Sequence, residues 1–118
     1  MIARVPCDEG SLTGTLTAQT RWLAGDWRTN SFVPENLHAS LERADTLTPQ
    51  VPAGSTLSAL ALRFILSNPA VSTIIPGMRR PAHVRANLAA SDGASLPETL
   101  VRQLRAHRWD REPTAWSQ

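Results

Sequence analysis

Residues Val71–Asn87, VSTIIPGMRRPAHVRAN, limit the folds open to this chain. The segment starts as a β-branched run of strand length (Val71, Thr73, Ile74, Ile75) and breaks at Pro76-Gly77. Arg79 and Arg80 follow, and the pattern restarts as a helix with Pro81 placed for its first turn. A buried strand, a glycine turn, cationic side chains and a helix N-terminus together describe an anion site. Unpaired backbone N–H groups and the positive end of the helix dipole attract a phosphate, and guanidinium adds bidentate hydrogen bonds. The plain alternative is a pair of solvated arginines at a turn.

The rest of the chain supplies a second strand and further helices. Met1 to Val5 reads as a short strand stopped by Pro6. A long glycine-punctuated loop follows, from Cys7 through Gly10, Gly14 and Gly25 to about Val33; loops of that length are usually functional or packed on something. A helix is expected over Pro34–Leu47, with Leu37, Leu41 and Ala44 on one stripe, and a linker over Thr48–Gly54. Ser55 or Thr56 caps the next helix, which ends at Ser67 and is apolar on nearly every side, so it should be buried. The helix opened by Pro81 runs to about Ala90. Ser95-Leu-Pro-Glu98 has capping-box spacing ahead of a last helix with Leu96, Leu100, Val101 and Leu104 on its apolar face. The polar tail from Arg108 carries Trp109 and Trp116. Two strands separated by helical crossovers predict a parallel βαβ unit rather than a hairpin.

Composition narrows the partners. At 118 residues, 42% hydrophobic and 19% charged, the chain has the size and make-up of one globular domain. There is no lysine, and the arginines are uneven: residues 1–59 hold four against six acids (−2), residues 60–118 eight against four (+4). Those arginines are scattered at helix-surface spacing without aromatic interleaving, so nucleic acid is not the expected partner. Ser58–Leu66, the longest apolar run, contains Arg63 and is too short to span a membrane. No apolar core follows Met1-Ile-Ala-Arg, so no secretory leader is expected. A lone cysteine, Cys7, forms no internal disulfide and suits a reducing cytoplasm. It reads as a small buried thiol rather than a nucleophile, and Asp8 and Glu9 as a solvated loop pair rather than an acid/base couple.

Three segments in order, Leu60-Ala-Leu-Arg-Phe64, Val71-Ser-Thr-Ile-Ile75-Pro-Gly77 and Val84-Arg-Ala-Asn87, resemble the C-terminal third of the aldo-keto reductases. That family has an ALRW-like helix there, a strand ending in IPG, and a helix carrying a Glu-Asn pair. Arg4-Val-Pro6 followed by Gly10-Ser-Leu12-Thr-Gly14 resembles the loop after the family's seventh barrel strand, so the resemblance spans nearly the whole chain. The family fold is a (β/α)8 barrel of roughly 250 residues. For this chain the resemblance implies an α/β fold that is a partial (β/α)8 TIM barrel. It would have two parallel strands, like the seventh and eighth, and about four helices, mostly helical by residue count, in a single domain over residues 1–118.

The resemblance also implies NADP(H) as cofactor. Gly10, Ser11 and Leu12 would lie along the pyrophosphate through backbone N–H groups, Arg79 would clamp the adenosine 2′-phosphate, and Asn87 would hydrogen-bond the adenine. Gly77 and His83 fall in the same cradle. His83 stands where many relatives have Gln, and Ala86 where they have Glu, which removes one adenine or ribose contact; Arg80 and Arg85 add charge nearby. The family's tyrosine acid, lysine, aspartate and histidine lie on earlier strands, and this sequence has neither tyrosine nor lysine. His38, His83 and His107 do not fall at the family's histidine position. The implied function is therefore a truncated or partial aldo-keto reductase, the cofactor-binding portion of an oxidoreductase that reduces carbonyls to alcohols, inactive alone. Two alternatives stand beside it. One is a subunit completed by a second chain that supplies the missing N-terminal barrel strands. The other is a non-enzymatic module that seals its strand edges as a homo-oligomer.

Overall fold

Two strands, β1 (Ile2–Arg4) and β2 (Thr73–Ile75), pair in parallel with Ile2 opposite Thr73, Ala3 opposite Ile74 and Arg4 opposite Ile75. The computed structural model describes residues 1–110 of the chain, so the part of the tail that carries Trp116 lies outside the described residues. The N-terminal ammonium donates to the Ala70 carbonyl at 2.8 Å, and the Ser72 N–H donates to the Met1 carbonyl at 2.8 Å, which fixes the register from its first residue. Both strands are shorter than the sequence suggests. Val5 takes a left-handed φ of 52°, which ends β1, and the Val71 N–H turns back to the Asn68 carbonyl, which delays β2.

The crossover between the strands is helical: α1 (Arg28–Ser31), α2 (Pro34–Leu47) and α3 (Leu57–Leu66). Then come α4 (Pro81–Ala89) and α5 (Glu98–Ala106) after β2. The long loop expected before Pro34 is not uniformly irregular. It contains a kinked 3-10 segment, Asp8–Thr13, and the single turn α1. A further 3-10 turn, Thr48–Gln50, occupies the expected linker.

The core forms where α2 and α3 both pack against the 3-10 segment, α3 also touching β2 and α4. Phe32, Leu37, Ala44, Leu60, Leu62, Ala90 and Leu104 are its buried apolar residues. No residue of α3 is exposed, as its all-round apolar sequence requires, and Thr56 caps it by accepting the Ala59 N–H at 3.1 Å. The expected capping box at Ser95 does not form. Pro97 keeps Leu96 out of helical backbone, so the helix starts at Glu98 with Pro97 as the flanking residue. On α2 the buried stripe runs through Leu37, Ser40 and Ala44 with Asn36 beside it, leaving Leu41 half-buried.

The strand expected to be buried is open instead. Alternation puts Ala3 and Ile74 on the half-covered face, while Ile2, Arg4, Thr73 and Ile75 share an exposed one. Ile2 and Ile75 keep 61% and 56% of their surface in solvent, because parallel strands are buried only when both faces are covered.

Arg63 ties the C-terminal part to α3. Its guanidinium forms a bidentate pair with Asp92 (2.7 and 2.8 Å) and donates to the carbonyls of Ala89 and Ala94. The cation in an otherwise apolar helix thus satisfies the chain end of α4 and the loop after it. Among the described residues no helix is long and apolar enough to cross a membrane.

Candidate functional site

Parallel, in-register pairing puts the segments after β1 and after β2 at the same end of the sheet. Ligands of parallel α/β units bind outside that carboxyl end. Gly10, Ser11 and Leu12 follow β1, and Gly77, Arg79, His83 and Asn87 follow β2. No hydrogen bond among the described residues joins the two sets, and Ser11 and Leu12 face α2 and the end of α5 instead.

The first loop is tightly self-bonded. The Cys7 carbonyl accepts the N–H groups of Gly10 (3.0 Å) and Leu12 (3.2 Å), and the buried Ser11 hydroxyl donates to Asp8 Oδ2. Ser58 Oγ donates to the Leu12 carbonyl at 3.2 Å, which fastens the loop to α3. Asp8 and Glu9 are not a solvated pair. Both are half-buried with left-handed φ angles, and Glu9 accepts the Ser31 hydroxyl at 2.8 Å. Gly10 has φ 116°, a conformation that glycine alone adopts readily, so its own turn already accounts for it. Burial pushes the Cys7 thiol above its ordinary pKa, which lowers the thiolate fraction and suits a packed side chain better than a nucleophile. Ser11 and Leu12 line an open cavity of ≈ 220 Å³ with Arg43, whose guanidinium stacks 5.6 Å over Trp109.

The second loop is the opposite: open and cationic. Arg79, Arg80, His83 and Arg85 are all exposed. Arg28 and Arg63 hold carboxylates at 2.6 and 2.7 Å, but the guanidiniums of Arg79, Arg80 and Arg85 have no hydrogen bond or ion pair among the described residues. α4 has no acidic residue in its first turn and no side-chain cap, so its leading N–H groups point outward beside like charge. Positive side chains at a helix N-terminus oppose the dipole, and a bound anion would reverse that penalty. Gly77 has an ordinary φ and open space where a Cβ would stand, so nothing among the described residues calls for glycine there. Asn87 is half-buried and its Nδ2 donates to the Gly77 carbonyl at 3.0 Å.

A sequence model of the aldo/keto reductase family matches residues 1–108 of this chain. The chain belongs to that family. No curated protein matches it. Aldo/keto reductases have a (β/α)8 barrel, and two parallel strands within a mostly helical chain agree with part of such a barrel. Membership points to an oxidoreductase and to a dinucleotide cofactor of the NAD(P)H type.

The residues of the second loop fit such a group. An exposed group of cations, uncapped N–H groups on α4 and a glycine that no contact among the described residues requires suit a phosphorylated ligand lying against Gly77–Arg80. The first loop contributes shape more than hydrogen bonds, because the N–H groups of Gly10 and Leu12 are engaged by Cys7. Sequence reasoning missed the Asn87–Gly77 bond and the Arg63 clamp. The lone arginine in an apolar helix was the available signal for the second; nothing in sequence spacing announced the first.

Proposed function

We propose that this chain is the NADP(H)-binding portion of an aldo/keto reductase, corresponding to the last two strands of the barrel. The observation that carries the reading is the cluster Arg79, Arg80 and Arg85, unpartnered among the described residues, at the uncapped start of α4. In this reading Arg79 takes the adenosine 2′-phosphate with two hydrogen bonds, and the leading N–H groups of α4 share it. His83 and Asn87 face the adenosine one turn further along α4. Gly10, Ser11 and Leu12 border the pyrophosphate and give it a surface to lie on.

Bound here, a reduced nicotinamide supplies the hydride that converts a carbonyl to an alcohol. This chain's part is to bind and orient the adenosine end, which contributes positioning rather than proton transfer. With neither tyrosine nor lysine among its 118 residues, the family's proton donor and its partner come from outside this sequence.

Calorimetric titration with NADPH and NADH, with Arg79→Ala alongside, tests the reading. The wild-type chain should prefer NADPH, and loss of a charge-assisted pair of about 1.5–3 kcal/mol should cut that preference roughly 10- to 150-fold. A folded chain that binds neither nucleotide, or both equally, refutes it.

The bare sheet face supports a second reading, that further strands cover Ile2 and Ile75 in the working protein, contributed by a separate chain or by another copy. Size-exclusion chromatography with light scattering separates these cases: a defined oligomer favours self-association, and a monomer favours a separate partner.

A further inference from the structure

The Gly77–Arg80 segment has little to hold it in place. All four residues are exposed, with Met78 at 48%, so packing does not fix them. One side-chain hydrogen bond among the described residues reaches this segment: Asn87 Nδ2 to the Gly77 carbonyl, 3.0 Å, across ten positions of sequence. Geometry explains how. Helix side chains lean toward the N-terminus, and the loop before α4 lies close enough to the second turn for Asn87 to reach the Gly77 carbonyl. Pro76 and Pro81 stiffen the two ends, and the bond fixes the carbonyl between them.

We infer that Asn87 is a positioning residue for Arg79: by holding the Gly77 carbonyl it keeps the Gly77–Arg80 segment in one conformation, and thereby sets the preference for a 2′-phosphorylated dinucleotide. The inference rests on the cofactor reading above but differs from a contact between Asn87 and the base. NADPH and NADH carry the same adenine, so a base contact affects both alike. Anchoring the loop affects the 2′-phosphate, and so the ratio of the two affinities.

The test is Asn87→Ala, read two ways. Alanine is a better helix former than asparagine, so α4 should survive and a thermal melt will confirm it. By calorimetry, the NADPH-over-NADH preference should fall about fivefold or more, the worth of one hydrogen bond, with a smaller change in NADH affinity. By ¹⁵N relaxation without nucleotide, the order parameters of Met78 and Arg79 should drop from near 0.85, roughly the rigid-backbone value, toward about 0.6, with α4 unchanged. An equal loss for both nucleotides with unchanged order parameters overturns the inference and leaves Asn87 a base contact. A wild-type chain with no NADPH preference overturns the cofactor reading instead. Loop anchoring is then judged by the order parameters, and unchanged values refute it.

Discussion

Leu62→Ala tests whether this chain folds around α3 on its own. Leu62 is 1% exposed, in a helix that touches the Asp8–Thr13 segment, β2 and α4. Alanine removes three carbons, about 2.4 kcal/mol of transfer free energy at ~0.8 kcal/mol each. Incomplete collapse of the cavity brings the total to about 3–4 kcal/mol. A domain of this length has roughly 6–18 kcal/mol of stability by the usual per-residue range, and an uncovered sheet face argues for the low end. The variant should therefore lose about half. Urea unfolding followed by fluorescence of Trp22, Trp27 and Trp109 would show the midpoint falling by roughly 1.5–2 M, at a slope near 2 kcal/mol per M. Leu88→Ala is the control, since Leu88 on α4 is 64% exposed and its loss should stay within about 0.5 kcal/mol. A Leu62 variant that costs less than about 1 kcal/mol, or a Leu88 variant that costs as much, would refute the reasoning. In that event α3 is not packed in the isolated chain, and its burial depends on further strands.

Two smaller effects follow from the same framework. Asp92 is held at a pKa of about 2, chiefly by hydrogen bonds from Arg63, and Asp26 at about 2 by Arg28. Both folded pKa values lie below the unfolded one, so the stability these carboxylates give is complete above roughly pH 4 and fades as pH falls toward 2. Unfolding curves at pH 6, 4 and 2.5 should show that loss, and Asp92→Asn should make the chain less stable at pH 6 and less sensitive to acid. Thr56→Ala removes the acceptor of the Ala59 N–H and should cost about 1 kcal/mol in the same denaturation assay, with Thr56→Ser restoring most of it.

Much of the framework was legible because it rests on local signals. Pro34 and Pro81 mark helix starts and appear at the first positions of α2 and α4. Thr56 reads as a cap and serves as one, and the apolar run it precedes is the helix with no exposed residue. The parallel pairing followed from helices between two β-branched runs. What failed depended on tertiary context. Ile75 looked buried because β-branched runs in parallel sheets usually are, but burial needs a covering layer that residues 1–110 do not supply. Asp8 and Glu9 looked solvated because acidic loop residues usually are, but Ser11 and Ser31 hold them inward. Ser95 looked like a cap until Pro97 is considered as a backbone constraint on the residue before it.

The candidate site divides along the same line. Arg79 and Gly77 were visible as residue types, and their exposure, the open space at Gly77 and the lack of a partner for the Arg79 guanidinium among the described residues are what a ligand-binding loop requires before its ligand arrives. That openness has a consequence in the free chain. Arg79 touches no acid among the described residues and stands at the positive end of α4, so it contributes nothing to folding that its removal would forfeit. Arg63 is the contrast: it holds a carboxylate and two carbonyls, and its removal takes the guanidinium from all three and leaves Asp92 with the Ala94 N–H. If both arginines were structural, both alanine variants would destabilise. If Arg79 serves a phosphate, Arg79→Ala should leave the unfolding midpoint unchanged or slightly raised while abolishing the NADPH preference, and Arg63→Ala should lower the midpoint. Separation of stability from affinity in these two variants is the pattern expected of a site whose charge is kept for a ligand.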